Sequence, residues 1–153
     1  MRNEQWGDCC MKDFIEQRII GAIRELLTKR VNEILRDEEF NVPYIEFGDF
    51  GCGYAVAPVV ALALCEKSDK ERIIRLDAYS VSITFELPET FESECQCYAY
   101  ASAVCKASKE NPTLDGVVDR ATITGEKYTP PKKPHCGEGW EVTLTLRVTV
   151  ENQ

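Results

Sequence analysis

The strictest pattern in the chain is the alternation of apolar and polar side chains near its C-terminus. From Trp140 to Glu151 every second residue is apolar, and a side-chain period of two places these residues on one face of a strand. A second alternating segment runs from Val117 to Thr124, and a loop rich in proline and lysine, Gly125 to Gly139, joins the two. The pattern predicts a long antiparallel ribbon that is buried on one side. The residues expected on the buried face of its last strand are Trp140, Val142, Leu144, Leu146, Val148 and Val150.

The N-terminal part of the chain has the spacing of an amphipathic helix. From about Asp8 to Arg36, apolar residues recur at steps of three and four, which gathers them on one face of a helix. Asp8 or Asp13 can cap its start, and Glu25 and Lys29 are spaced for an i,i+4 ion pair.

Three strands are predicted after this helix: Val42 to Phe47, Ala55 to Leu64 and Arg72 to Leu87. The second is interrupted by Pro58, which favours a bulge or a bend. The apolar positions of the third change phase by one residue, so a bulge is predicted between Asp77 and Ser80.

A second helix is predicted between these strands and the ribbon. It follows Pro88, with Thr90 as the expected cap, and stops at Asn111 and Pro112. The predicted element order is α-β-β-β-α-β-β, which is an α+β fold with a mainly antiparallel sheet flanked by two helices. The residues expected on the core face of the second helix are Phe91, Cys95, Tyr98, Ala101 and Cys105.

Composition limits the classes of function. The 153 residues are expected to form a single domain, 1–153, and the formal net charge of −8 disfavours binding to DNA or to an anionic membrane. The basic residues Lys127, Lys132, Lys133 and His135 are few enough to be read as solvated surface. No apolar run of membrane-spanning length is present, and the N-terminus lacks a signal-peptide core, so we expect a cytoplasmic protein.

Candidate chemistry is sparse. Eight cysteines are present, but none is paired in the C-x2-4-C spacing of zinc sites, so most are expected to be buried thiols. The single histidine, His135, lies between Pro134 and Cys136 in a loop, a poor position for a catalytic dyad. The sequence therefore predicts no enzyme, no cofactor and no metal. A thiol or metal-binding module that uses Cys95, Cys97, Cys105, Cys136 and His135 is the alternative in a different class.

Three segments carry a resemblance to a known family. The first is the helix that leads into Val42-Pro43-Tyr44-Ile45. The second is the long strand Arg75 to Ile83 with the helix that ends in Glu110-Asn111-Pro112-Thr113-Leu114-Asp115-Gly116. The third is the closing ribbon of Val117 to Gly125, Tyr128 and Gly139 to Val150. Together they resemble bacteriophage tail-completion proteins, the tail terminators of long-tailed phages and their prophage relatives.

The resemblance implies a structural protein made in the host cytoplasm and carried in the virion tail. Such subunits form a ring, usually a hexamer, on the head-proximal end of the tail tube, where the ring ends tube polymerisation and offers a docking surface to the head or neck. The implied partners are the chain itself, whether it is monomeric in solution or not, the tail-tube protein and a head-completion or neck protein. The runner-up is another neck or tail component, such as a head-closure protein or an adaptor.

Two loops are the expected contacts with neighbouring subunits or with the tube. Aromatic residues on loops are enriched in interfaces, and a ring uses two different patches of each subunit. The expected interface residues are Phe50 and Tyr54 near the turn from Gly48 to Gly53, and Tyr128, Lys132, Lys133 and His135 in the loop from Gly125 to Gly139.

Overall fold

The computed structural model describes residues 14–48, 55–66, 75–90, 92–133 and 137–152. Its main feature is a four-stranded antiparallel sheet with two helices packed on one face, which confirms the predicted α+β class. The strand order is β3-β4-β6-β5, so β3 and β5 are the two edges. The strands are β1 (Tyr44–Ile45), β2 (Ala55–Val56), β3 (Val59–Glu66), β4 (Arg75–Pro88), β5 (Arg120–Thr129) and β6 (Glu138–Asn152).

The first helix, α1, is continuous through a change of helical type. It consists of α-helical Ile15–Leu26, a π-helical turn Leu27–Val31 and α-helical Asn32–Asp37. The helix ends at Asp37, one residue beyond the periodic segment in the sequence, and the predicted pair between Lys29 Nζ and Glu25 Oε1, at 2.9 Å, is confirmed. The predicted caps Asp8 and Asp13 lie outside the described residues. The buried face contains Ile19, Ile23, Leu26, Leu27, Val31, Ile34 and Leu35.

Asn32 fastens α1 to β1. Its side-chain amide donates to Thr28 O at 2.8 Å and to Ile45 O at 3.0 Å, and its Oδ1 accepts from Ile45 N at 2.9 Å. β1 pairs in parallel with β2 as a separate small sheet. The Ala55 to Leu64 segment is therefore two strands, because Ala57 and Pro58 separate β2 from β3. This adds one strand to the predicted order.

The C-terminal ribbon forms as predicted, with β5 antiparallel to β6. Four of the six expected core residues of β6, Val142 to Val148, are buried, and Trp140 and Val150 are half-buried. The prediction that the loop begins at Gly125 is wrong, since β5 continues to Thr129. A register shift between Ile123 and Gly125 leaves Thr124 as an extra residue, and pairing resumes beyond it.

The predicted bulge between Asp77 and Ser80 is also wrong. β4 keeps an unbroken register with β6 from Arg75 to Glu86. The irregularity lies on the neighbouring strand, where Leu64 pairs with Tyr79 and Glu66 with Ala78, so that Cys65 is the extra residue. The phase change in the sequence arises because Leu76, half-exposed, lies on the sheet face that carries no described helix.

The second helix, α2, spans Ser93–Glu110 and begins three residues after the predicted cap. Thr90 Oγ1 accepts instead from the backbone N–H of Glu92, at 3.3 Å. The predicted core face is wrong for Cys95 and Tyr98, which are exposed. Ala101 is buried as predicted, Cys105 is half-buried against the core, and Phe91 lies outside the described residues. The true face, at steps of three and four, contains Ser93, Cys97, Tyr100, Ala101, Val104, Ala107 and Ser108.

Tyr100 explains the orientation of α2. Its ring stacks on Phe85 of β4 with centroids 4.5 Å apart, and its hydroxyl donates to Pro43 O at 2.6 Å. Burial of the large Tyr100 ring stabilises the fold more than burial of the small Cys95 side chain would. The helix is therefore oriented with Tyr100, and not Cys95, towards the core. Two ion pairs join the helices across the surface, Arg30 to Glu110 at 2.6 Å and Lys106 to Glu38 at 2.9 Å.

Candidate functional site

The loop between β5 and β6, with the end of β4 beside it, is the part of the predicted interface that the structure describes. We call it the ribbon end, defined as Glu86–Glu89, Pro130–Lys133 and Gly137–Glu141. Lys132 and Lys133 are exposed there. Neither makes an ion pair with another residue in the described part of the chain. Their two positive charges therefore point into solvent at one end of an otherwise acidic molecule.

Backbone hydrogen bonds fix the C-terminal side of this loop to the β4–α2 connection. Glu89 N donates to Gly137 O at 3.2 Å, and Gly137 N donates to the Glu89 carboxylate at 3.1 Å. One step further, Trp140 N donates to Ser93 Oγ at 3.3 Å, and the same hydroxyl donates to Thr90 O at 3.0 Å. Gly137 adopts a positive φ of 82°, which glycine tolerates without strain.

Gly139 is required by a close approach of two backbones. A Cβ at this position would lie 2.7 Å from the carbonyl oxygen of Leu87 and closer still to that of Pro88. Both atoms belong to β4, which cannot rotate away as a flexible side chain would. The glycine therefore permits β6 to start directly against the end of β4.

A cleft of about 510 Å³ lies between the loop and the end of β4. Its lining includes the rings of Pro88, Pro130 and Trp140 and the charged residues Glu138, Glu141 and Lys132. Rigid rings of this kind offer contact area at a low cost in conformational entropy. A cleft of this size, lined by both acidic and basic side chains, can receive a segment of another protein.

Tyr128 does not lie on the loop as predicted but in β5, opposite Val142. Its ring meets that of Tyr98 in α2 edge to face, with centroids 5.1 Å apart at 61°. Its hydroxyl donates to Glu126 at 3.1 Å. Burial, followed by this hydrogen bond, raises the pKa of Tyr128 to about 12. Tyr128 therefore contacts its own helix, and only part of its ring is available to a partner.

Three other predicted interface residues, Phe50, Tyr54 and His135, lie outside the described residues. The structure thus leaves Lys132, Lys133 and part of Tyr128 as the described members of the predicted set. It does not bring them into one cluster, since Tyr128 packs beneath the sheet edge against α2.

Four of the eight cysteines are described, and all four are free thiols. Only Cys97 is buried, so the prediction that most are buried is wrong for this set: Cys65 and Cys95 are exposed and Cys105 is half-buried. Burial raises the pKa of Cys97 to about 11. Burial, together with a hydrogen bond from its Sγ to Glu126 at 2.9 Å, raises the pKa of Cys105 to about 12. These two thiols are held neutral at pH 7, which makes them weak nucleophiles.

Neither a protein-family model nor a curated protein sequence matches this chain.

Within the described ranges, no group of three or more His, Cys, Asp or Glu side chains is placed to hold a metal ion. In the same part of the chain, no helix is both long enough and apolar enough to cross a membrane.

Sequence reasoning missed the cleft at the ribbon end. The signal that could have found it is the pair of glycines, Gly137 and Gly139, which frame the start of a strand whose next residue is a tryptophan. A glycine within a strand pattern often marks a close backbone approach. The partner of that approach, the end of β4, is fifty residues away in sequence, and no local pattern identifies it.

Proposed function

We propose that this chain is a structural subunit of a bacteriophage or prophage tail that caps the head-proximal end of the tail tube. In this proposal its copies form a ring, expected to be a hexamer, that ends tube polymerisation and offers a docking surface to the head or neck. The observation that supports it best is the succession β4-α2-β5-β6, with the long strand, the helix with its Asn111–Gly116 turn and the closing ribbon in the order of the resembling family.

The ribbon end is the proposed contact with the tube or with a neighbouring subunit. It combines a rigid base, held by Glu89 and Ser93, with the exposed cations Lys132 and Lys133. A surface that is already ordered loses little conformational entropy on binding, so its contacts contribute more of their energy to affinity. Exposed cations at a contact rim increase the rate of encounter with an acidic partner.

The net charge of −8 is compatible with a ring around a channel that passes DNA. A negative lumen repels the phosphate backbone, which lets the nucleic acid move without being retained.

The proposal is tested by charge reversal at the loop. Lys132→Glu and Lys133→Glu are compared with Lys127→Glu, which changes the same charge on an exposed residue of β5 outside the loop. Deletion of residues 129–133 is a less suitable test, because Thr129 belongs to β5 and pairs with Glu141. The readouts are the binding of each protein to tail-tube ends and the length of tubes assembled in its presence, both by electron microscopy.

We expect the wild-type chain and Lys127→Glu to bind tube ends and to shorten the tubes. The loop variants should bind at least about tenfold more weakly, in line with the loss of a favourable contact of roughly 1.4 kcal/mol. If the loop variants cap tubes as efficiently as the wild type does, the loop is not part of the interface. A wild-type chain that binds head or neck proteins but not tube ends would favour the head-closure alternative.

A further inference from the structure

In the described part of the chain, β3 is an edge strand with β4 as its one paired neighbour. Among the described residues, the backbone of β3 forms ladder hydrogen bonds with β4 only, and no other backbone hydrogen bond reaches it. From Val59 to Cys65 the strand contains no charged residue and no proline. Its side chains are largely accessible: Val59 is 58% and Leu64 50% exposed, and Ala61, Ala63 and Cys65 are exposed as well.

The opposite edge, β5, is protected along its middle, whereas β3 has a bulge only near its end, at Cys65, and a proline only before its start, at Pro58. β5 begins at Arg120, has a bulge at Thr124, carries the exposed charges of Glu126 and Lys127, and is followed by two prolines. Bulges, charges and prolines are the common means by which sheet edges avoid pairing with another chain. From Val59 to Leu64, β3 has neither a charge, a proline nor a bulge, so this part of the edge is suited to pairing with another strand.

The geometry of this edge, which has no second partner among the described strands, favours one kind of occupant. Unpaired N–H and C=O groups in extended geometry are satisfied by another extended strand. A second copy of the same β3 fits, because around a two-fold axis the strand lies antiparallel to itself. No like charges then stand opposite each other along Val59 to Cys65, whereas charge repulsion opposes contacts between the acidic surfaces of two molecules that each carry a net charge of −8.

We propose that β3 is a strand-pairing site for β3 of a second copy, which joins two four-stranded sheets across a two-fold axis. A two-fold contact uses the same patch on both molecules and cannot by itself propagate a ring. The dimer is therefore independent of the proposed tail function, and either can fail without the other.

The test measures mass in solution by sedimentation velocity over a range of concentrations, with a reductant present to exclude disulfide-linked dimers. Ala61→Lys places a charge at the middle of β3, on an exposed side chain opposite Ser82. Thr124→Lys places the same charge on the exposed bulge of β5 as the matched control. The wild type and Thr124→Lys should form a dimer of twice the 17.3 kDa chain mass, and Ala61→Lys should raise the dissociation constant at least about tenfold.

Hydrogen exchange on the wild type supplies a readout that does not depend on the folding of a variant. Backbone amides of residues 59–65 should become more protected as concentration rises through the dimerisation range, whereas amides of residues 125–129 should not. A chain that is monomeric at every concentration overturns the proposal. So does a dimer that Thr124→Lys weakens as much as Ala61→Lys, or one that leaves the exchange of 59–65 unchanged.

Discussion

Replacement of Gly139 by alanine tests the packing that holds the ribbon end together. The added Cβ would lie 2.7 Å from Leu87 O and nearer to Pro88 O, whereas ordinary contacts begin at 3.4 Å. The start of β6 must therefore move away from β4 by roughly 0.7 Å or more, against a well-packed neighbour. That movement also stretches the hydrogen bonds by which Gly137 and Trp140 are held.

Overpacking of this kind costs about 1–3 kcal/mol of the free energy of unfolding. For a chain of this size, about 2 kcal/mol lowers the melting temperature by roughly 4–8 °C. The matched control is Gly125→Ala, in the facing strand β5, where a Cβ meets nothing within 4 Å. Because alanine restricts the unfolded chain more than glycine does, the control should be neutral or more stable by up to about 1 kcal/mol.

Both variants are measured by thermal unfolding and by urea titration against the wild type. A Gly139→Ala protein that is as stable as Gly125→Ala would refute the close approach of β6 to β4. If the loss of stability is seen, and the variant also fails to cap tail tubes at a temperature where it is folded, the rigidity of the ribbon end matters for function as well.

Three further predictions concern the core and the thiols. Asn32→Ala should lower the free energy of unfolding by about 2–3 kcal/mol in urea titration, because it leaves the buried N–H and C=O of Ile45 without partners; a loss below about 0.5 kcal/mol would contradict this. Burial, with a hydrogen bond to Glu16, raises the pKa of Tyr79 from 10.0 to about 12. Its contribution to stability is therefore complete below pH 10 and lost as the pH rises through 12, so Tyr79→Phe should unfold less steeply with alkali than the wild type; an equal slope would contradict the assignment. Among the four described cysteines, thiol alkylation at neutral pH, followed by peptide mass mapping, should modify the two exposed thiols before the buried and the half-buried one; the opposite order would contradict these exposures. The exposed thiols are Cys65 and Cys95, and the slow ones are Cys97 and Cys105.

The sequence predicts a helix or strand well where one of its faces is strongly apolar and the other is polar. The alternation from Trp140 onward identifies β6 and its buried face because a slip of one residue would expose every valine and leucine. The same reasoning fails for α2, where alanine, serine and cysteine surround the helix and neither side is strongly apolar. There the single large contact between Tyr100 and Phe85 decides the orientation, and that contact is tertiary.

The positions of the bulges and of the loop boundary were also predicted wrongly, because they too depend on tertiary contacts. Cys65 and Thr124 are extra residues that appear only when the pairing of two strands is known. Tyr128 was expected on a loop because the loop was predicted to run from Gly125 to Gly139. In the structure the bulge at Thr124 lets β5 continue, which brings Tyr128 against Tyr98.

The central claim is that copies of this chain close the end of a tail tube. It is tested most directly by adding the purified protein to growing tail tubes and recording tube length and end structure by electron microscopy. The proposal predicts rings, of hexameric symmetry, at one end of each tube and an arrest of elongation. Tubes that elongate at an unchanged rate with bare ends, in the presence of folded protein, would contradict it.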